Sequence, residues 1–518
     1  MLIIQAVLVN TAVAATFTVN QTADTQDVSP GDGLCADASG DCTVRAALEE
    51  ANGLAGTDDI DIPAGVYTLS PYISADFEIT ESVNVTGAGQ GVTVIESTGY
   101  WTLLNVTATA TGVTLTSLSL DGTGSPLYYG YAGVLYNAGS VDLDDVEITG
   151  GRMDHETTTY NGGPNAGGIY NAGTMTLTDC SVHDNLHGGA AYHYGWAARG
   201  AAIYNSGSLT LVDGDVTNND MYDSASSYYV GVLYGGGIYQ AGSYFSLDGT
   251  TVTENDGAYA GGGLFIAAGN NYISNCAISD NEVWDIGGIW AGLYYGGAGV
   301  MIVGGATTID TCTFSGNVVT DVGYIGGTTP GGAISVVGGT LSLTLSTLYA
   351  NEARYGAGLH VGGGAVEVYS STVGYNLAAD APSTSGVYVA SGTLSSHNSL
   401  YARNGSGRSA ADCSGTITSD GYNLVGVAAV ASTTTCSGLA RTDIYGDGTV
   451  SIASGLAATL STPRGSDDQV LQITPSSAAL DAGDPAGCTR RDQTGRRRPI
   501  DGDRDGVSVC DIGAFERR

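Results

Sequence analysis

Residues 167–185 read GGIYNAGTMTLTDCSVHDN, and the chain returns to this pattern many times. A glycine pair leads into an apolar anchor, apolar and polar residues then alternate, and an asparagine closes the unit. The anchors are Val134, Ile169, Ile203, Ile238, Leu264, Val300, Ile334, Leu359 and Val387. The closing residues are Asn185, Asn219, Asn255, Asn281, Asn317, Asn351, Asn376 and Asn404. Ile169 lies 16 residues before its asparagine and Ile334 lies 17, and every other unit that closes in an asparagine shows one of these two spacings. From an asparagine to the next anchor the distance is free, from 18 residues (Asn185 to Ile203) to 8 (Asn351 to Leu359). A fixed part and a part that accepts insertions is the signature of a solenoid with its insertions on one face.

Inside the fixed part the apolar residues fall at alternate positions, as in Leu209 and Leu211, Leu341 and Leu343, or Val366 and Val368. Period two predicts a strand with one buried face. Five residues later another inward residue follows (Ile309 then Phe314, Val368 then Val373), which predicts a second strand after a bend. Two strands on fixed faces, a third face of variable approach and a rise of ~4.8 Å per coil define a parallel β-helix, so the expected class is all-β. The asparagines are expected at one corner, in the left-handed backbone that Asn tolerates, with their amides stacked as a hydrogen-bonded ladder. Five positions before the asparagines stand Cys180, Cys276 and Cys312, where other coils carry Gly214, Thr250, Ser346, Ser371 and Ser399. A row that takes only small residues predicts buried thiols.

Composition agrees with a turn-rich, strand-rich chain: of 518 residues 80 are Gly and 31 Tyr, against 11 Pro. With 52 acidic and 16 basic residues the net charge is −36, and all the bases are Arg. Such a surface repels nucleic acid and anionic membranes and suits divalent cations. Residues 1–15 end in the small-residue pattern Ala12, Val13, Ala14 and read as a signal-peptide remnant, cut after Ala14 or Ala15. No later apolar run reaches the ~18 residues of a membrane span. The nine cysteines contain three close pairs, Cys35 with Cys42, Cys413 with Cys436 and Cys488 with Cys510, as suits disulfides in an exported chain.

A solenoid needs covered ends. Val44, Ala47, Leu48 and Ala51 have helical spacing, opened by Thr43 and closed by Asn52 and Gly53, which predicts an N-terminal capping helix within residues 16–60. The β-helix proper is expected over 61–404 and an irregular, disulfide-containing cap over 405–518.

Cys42 to Asn52 (CTVRAALEEAN) resembles the CSLREA motif of exported bacterial and archaeal β-helix proteins, with Val44 in place of its Leu and Ala46 in place of its Glu. DCSGTITSDGYNLVG at 412–426, DQTGRRRP at 492–499 and CDIGAFE at 510–516 are similar to the choice-of-anchor Q domain. GGAI at 331–334 and FSGN at 314–317 are similar to polymorphic outer membrane protein repeats. The resemblance implies an extracellular right-handed β-helix and leaves its function open.

Three groups of side chains carry candidate chemistry. Asp501, Asp503 and Asp505, with Asp511, alternate as oxygen ligands for Ca2+ do, so a structural calcium is expected there and no other cofactor is required. Beside the asparagine corner stand Asp184 before it and Asp220, Asp256, Glu282 and Glu352 after it; stacked carboxylates repel unless screened, protonated or bridged. With Arg199 or Arg354 as base, Asp220, Asp256, Glu282 and Glu352 form the candidate catalytic set of a Ca-dependent glycan lyase or hydrolase. The variable loops hold Tyr192, Tyr194, Trp196, Tyr228, Tyr229, Tyr234, Trp284, Trp290, Tyr294 and Tyr295, read as a ligand face or as a roof over the third face. His183, His187 and His193 read as loop histidines, and Arg490, Arg491, Arg496, Arg497 and Arg498 as partners of neighbouring Asp residues of the cap rather than of an anionic polymer. The resulting expectation is a secreted or cell-surface rod, adhesin-like or part of an extracellular matrix, that binds a glycan or a matrix protein through an acidic, aromatic lateral face. It binds no nucleic acid and spans no membrane. The competing readings are the glycan lyase or hydrolase and a self-associating fibre subunit.

Overall fold

The computed structural model describes residues 14–69, 77–97, 102–123, 132–154, 166–189, 197–223, 232–257, 259–285, 296–321, 330–378, 386–405, 411–428, 436–446, 452, 454–463 and 468–518. The chain is a parallel β-helix. One coil shows the plan: Ile169–Asn171, a turn, Thr174–Thr178, a bend, Ser181–His183, a second bend, then Leu186–Gly189. The first of these strands stacks into a 13-stranded sheet, the middle two into a 26-stranded sheet and the last into an 8-stranded sheet. Pairing is parallel and in register, as in Ile169↔Ile203↔Ile238↔Leu264↔Val300↔Ile334↔Leu359↔Val387. Coils therefore place like residues over like, and the inward rows pack into one continuous buried core running from Phe17 to Cys436.

The asparagines form the ladder. Asn185 Nδ2 donates to Asn219 Oδ1 at 3.0 Å, and the same link repeats from Asn219 through Asn376 at 2.8 to 3.0 Å. Each Oδ1 also accepts the backbone N–H of the asparagine before it, as Asn219 does from Asn185 at 3.1 Å. One expectation is corrected. The left-handed backbone belongs to the residue before each asparagine: Asp184, Asn218, Glu254, Asp280, Gly316, Ala350, Tyr375 and Arg403 all have φ between 53° and 67°. The division is physical: the turn residue bends the chain while its neighbour keeps an ordinary backbone and aims its amide inward along the stack.

The row of small residues is also a ladder. Cys276 N–H donates to Cys312 Sγ (3.4 Å), Cys312 N–H to Ser346 Oγ (3.1 Å), Ser346 to Ser371 and Ser371 to Ser399 (3.2 Å each), and Ser399 to Asn423 Oδ1 (3.0 Å). Cys180, Cys276 and Cys312 are buried free thiols, and burial pushes Cys180 up to about 11. A third ladder, Asn137 to Asn171 to Asn205 to Gln240, runs along the 13-stranded sheet at 2.5 to 2.8 Å.

At the N-terminal end the helix Val44–Gly53 is capped by Thr43, whose side chain accepts the Ala46 N–H. Its Arg45 is buried against Asp24 at 2.6 Å and lies 4.6 Å from the Phe77 ring. Coil pairing begins at Thr16–Thr18 and runs past residue 404 to Ile444–Tyr445, outside the expected limits of 61 and 404 on both sides. The last segment folds back along the 26-stranded sheet: Gln493 donates to Cys312 O (3.1 Å) and Thr313 Oγ1 (2.8 Å) and accepts from Thr347 Oγ1. There Arg498 and Glu516 form a fully buried ion pair at 3.0 Å. Cys35–Cys42, Cys413–Cys436 and Cys488–Cys510 are disulfides, with Cα atoms 5.1, 5.5 and 5.9 Å apart. Among the described residues no helix is long and apolar enough to cross a membrane.

Candidate functional site

The 8-stranded sheet carries the acidic row because the residue after each ladder asparagine begins its strand and points away from the core. The register is Arg152↔Leu186↔Asp220↔Asp256↔Glu282↔Val318↔Glu352↔Leu377. Asp220, Asp256 and Glu282 thus stand on three adjacent rungs, about 4.8 Å apart, while Val318 separates Glu352 from them. Burial, and then the negative charges of Asp220 and Glu282, push Asp256 up to about 6. Burial also raises Asp220. Thr320 Oγ1 donates to Glu282 Oε1 at 2.6 Å.

The next position turns inward: Val283, Val319 and Ala353 form a small buried cluster with Ala298 and Ala357. Two residues beyond the acids the side chains face out again, and Trp284, 48 % exposed, stands beside the row. Arg152, which sequence reading passed over, heads the row and donates from Nη2 to Tyr222 Oη at 3.3 Å. Its signal was its place one residue beyond Gly151, which holds the ladder position in the preceding coil.

Of the two expected bases, Arg199 sits away from the row, whereas Arg354 follows Glu352 by two residues. Arg199 belongs to a separate two-stranded sheet, Ala197–Arg199 with Val232–Tyr234, and its guanidinium lies 5.3 Å from the Tyr239 ring. Arg354 lies 5.6 Å from the Tyr355 ring. Arg199 therefore faces an aromatic stack of the 13-stranded sheet, Tyr136, Tyr170, Tyr204, Tyr239 and Phe265, with centroids 4.9 to 5.3 Å apart. Tyr234 is buried and stacks on Phe265 at 4.4 Å. Tyr192, Tyr194, Trp196, Tyr228, Tyr229, Trp290, Tyr294, Tyr295 and His193 lie outside the described residues.

His183 and His187 point to opposite sides: His187 is buried, whereas His183 bridges Glu147 (2.9 Å) and Asp184 (2.7 Å) on the surface of the 26-stranded sheet. In the C-terminal segment the carboxylates that converge are Asp481, Asp501 and Asp503, with oxygens within 4.8 Å of one another. Asp505 is not among them, and Asp511 is buried, accepting the N–H groups of Asp481 (2.8 Å) and Arg517 (2.6 Å). Asp481 comes from 20 residues upstream of Asp501, a distance at which alternation gives no signal. The backbone N–H groups of Gly502 (3.3 Å) and Asp503 (2.7 Å) already donate to Asp481.

No family model and no curated protein matches the chain. Among solved structures it is similar to pectate lyase Pel9A, at 13% identity and TM-score 0.36 over 98% of each chain. It is also similar to the A-module of the Azotobacter vinelandii mannuronan C-5 epimerase AlgE6, at 13% identity and TM-score 0.33, over 83% of this chain and 99% of that one. A pectin methylesterase in complex with a hexasaccharide follows at 12% identity and TM-score 0.29, over 52% and 80%. The fold rests on the strand pairing itself.

Proposed function

We propose that this chain is an exported rod acting at or outside the cell surface, adhesin-like or as a matrix component, and that it takes its ligand on the 8-stranded sheet. It stands with the CSLREA and choice-of-anchor Q proteins that its two ends resemble. The observation that supports binding is the in-register row Asp220, Asp256 and Glu282 with Trp284 exposed beside it. Carboxylates at a fixed spacing accept hydrogen bonds from the hydroxyls of a linear polymer, and an indole face stacks on a sugar ring or a partner side chain. The ligand class is an extracellular glycan or a matrix protein, and a calcium ion at Asp481, Asp501 and Asp503 serves as structural ion. A glycan and matrix-protein array tests this: wild type binds, and Trp284→Ala with Asp256→Asn loses at least about tenfold in affinity. Binding unchanged in that double variant overturns it.

Two observations favour a second reading, a polysaccharide lyase or hydrolase: Arg152 heads the same row, with one rung (Leu186) between it and Asp220, and Asp256 carries the raised proton affinity typical of reacting groups. Acidic polysaccharides assayed for unsaturated or reducing products, with and without Ca2+, decide between them. Turnover lost in Arg152→Ala or Asp256→Asn establishes the enzyme. Self-association into fibres, the third reading, shows as concentration-dependent light scattering indifferent to glycans.

A further inference from the structure

Asp58 occupies a position built for an apolar residue. In the register of the first coils it stands where Val83 and Val113 follow, in the inward row that continues two residues on with Ile60, Val85 and Leu115. It is fully buried. Its Oδ1 accepts the backbone N–H of Ala15 at 2.7 Å, and its Oδ2 is buried with no hydrogen-bond partner. Arg45, the buried base of the N-terminal cap, is engaged by Asp24. A carboxylate in an apolar row with one oxygen unsatisfied is costly, and a peptide N–H brings one proton and no charge.

An α-ammonium at the same nitrogen brings a positive charge and three donors. The sequence offers a way to make one, because Ala12 and Ala14 stand at the −3 and −1 positions of a leader-peptidase site whose scissile bond is Ala14–Ala15. Ala14 is exposed, and from Thr16 the chain is already paired with Asp59 as a strand. Cleavage one residue later would remove the nitrogen that Asp58 holds, so the geometry selects the first of the two cuts. We propose that the chain is cut between Ala14 and Ala15, and that the α-ammonium freed at Ala15 forms a buried ion pair with Asp58. In the cut, water adds across the amide under a leader peptidase: Ala14 leaves as a carboxylate and Ala15 keeps the nitrogen as an ammonium. The cut rests on the export proposed above; the ion pair does not.

The absence of lysine makes the test clean, since the α-amine is the only primary amine for acylation. Residues 12–518 are secreted from a bacterial host behind the charged and apolar parts of a working leader, and the product is sequenced from its N-terminus. Ala15 as first residue is the expected result; any other N-terminus, or none, overturns the cut. Separately, a chain released by a fusion protease to begin at Ala15 is treated with an N-hydroxysuccinimide acetate, folded and in urea. The folded amine reacts at least about tenfold more slowly than the unfolded one, and Asp58→Asn restores the rate. Chain acetylated while unfolded and then refolded melts lower than chain with the free amine. That gap is full below the ordinary α-amino value of about 7.7–8.0 and closes as pH rises through the raised value of the paired group. Equal acylation rates, or equal melting of the two forms, overturn the ion pair even where Asp58→Asn does not fold, and leave export untouched.

Discussion

Asp412 ends the asparagine ladder: its Oδ1 accepts both the backbone N–H (2.9 Å) and the Nδ2–H (3.1 Å) of Asn404. Its Oδ2 accepts from Val427 N at 2.7 Å. An asparagine accepts on one side and donates on the other, so a row of them must be stopped by a group that only accepts. Asp443 ends the cysteine–serine row in the same way, taking Asn423 N–H at 2.9 Å and Ala440 N–H at 2.6 Å. Asp412→Asn turns an amide donor toward either Asn404 or Val427, and is expected to cost about 1–3 kcal/mol in urea unfolding. A substitution with no cost refutes the ladder's direction.

Stability is expected to fall as pH rises from about 4 to about 7. Burial lifts Asp256 and Asp511 to about 6, each well above its unfolded value. Across that window these two groups hold more protons folded than unfolded, so the stability they give at low pH is lost as they ionise. Denaturant midpoints at pH 5 and pH 8 check it, the first being higher. Asp256→Asn removes one of the two and narrows the gap.

The thiols of the core are expected to behave as hydroxyls. Cys312 Sγ accepts from Cys276 N–H and donates to Asp310 O at 3.2 Å, as Ser346 Oγ donates to Thr344 O at 2.7 Å. Cys312→Ser keeps both bonds and is expected to change stability by less than about 1 kcal/mol, whereas Cys312→Val leaves a buried N–H unpaired at a cost of about 1–3 kcal/mol. Thermal unfolding of the two variants separates a hydrogen-bonding thiol from one that only fills space.

Ala350 sits at the asparagine corner with φ 53°. An L side chain there carries about 1–2 kcal/mol of strain that glycine avoids, offset in part by glycine's greater chain entropy. Ala350→Gly is therefore expected to stabilise the fold by up to about 1 kcal/mol, although glycine within regular structure normally destabilises. A drop in the unfolding midpoint refutes the assignment of the bend to this residue.

The parallel β-helix was legible in the sequence because its causes are local. Leu341 and Leu343 face one way since a strand has period two, and Asn317, Asn351 and Asn376 stack since each lies 17 residues after its anchor. The bend one residue ahead of each asparagine was not legible, because Asp184, Ala350 and Tyr375 share no chemistry that marks a left-handed backbone. The ladder of Asn137, Asn171, Asn205 and Gln240 did have a signal, the recurring Tyr-Asn or Tyr-Gln after the apolar residue that begins each of these strands. What only the tertiary structure decided is which groups meet across coils and across long stretches of chain. Arg199 and Asp220 are 21 residues apart in sequence, yet the turn between them sends one to the aromatic stack and the other to the acidic row. Gln493 meets Thr313 and Thr347, and Asp481 joins Asp501, through chain paths no periodicity encodes. Periodicity fixes the side of a strand on which a residue lies, whereas meeting at a distance depends on loop lengths and on where the folded-back end finds a complementary surface.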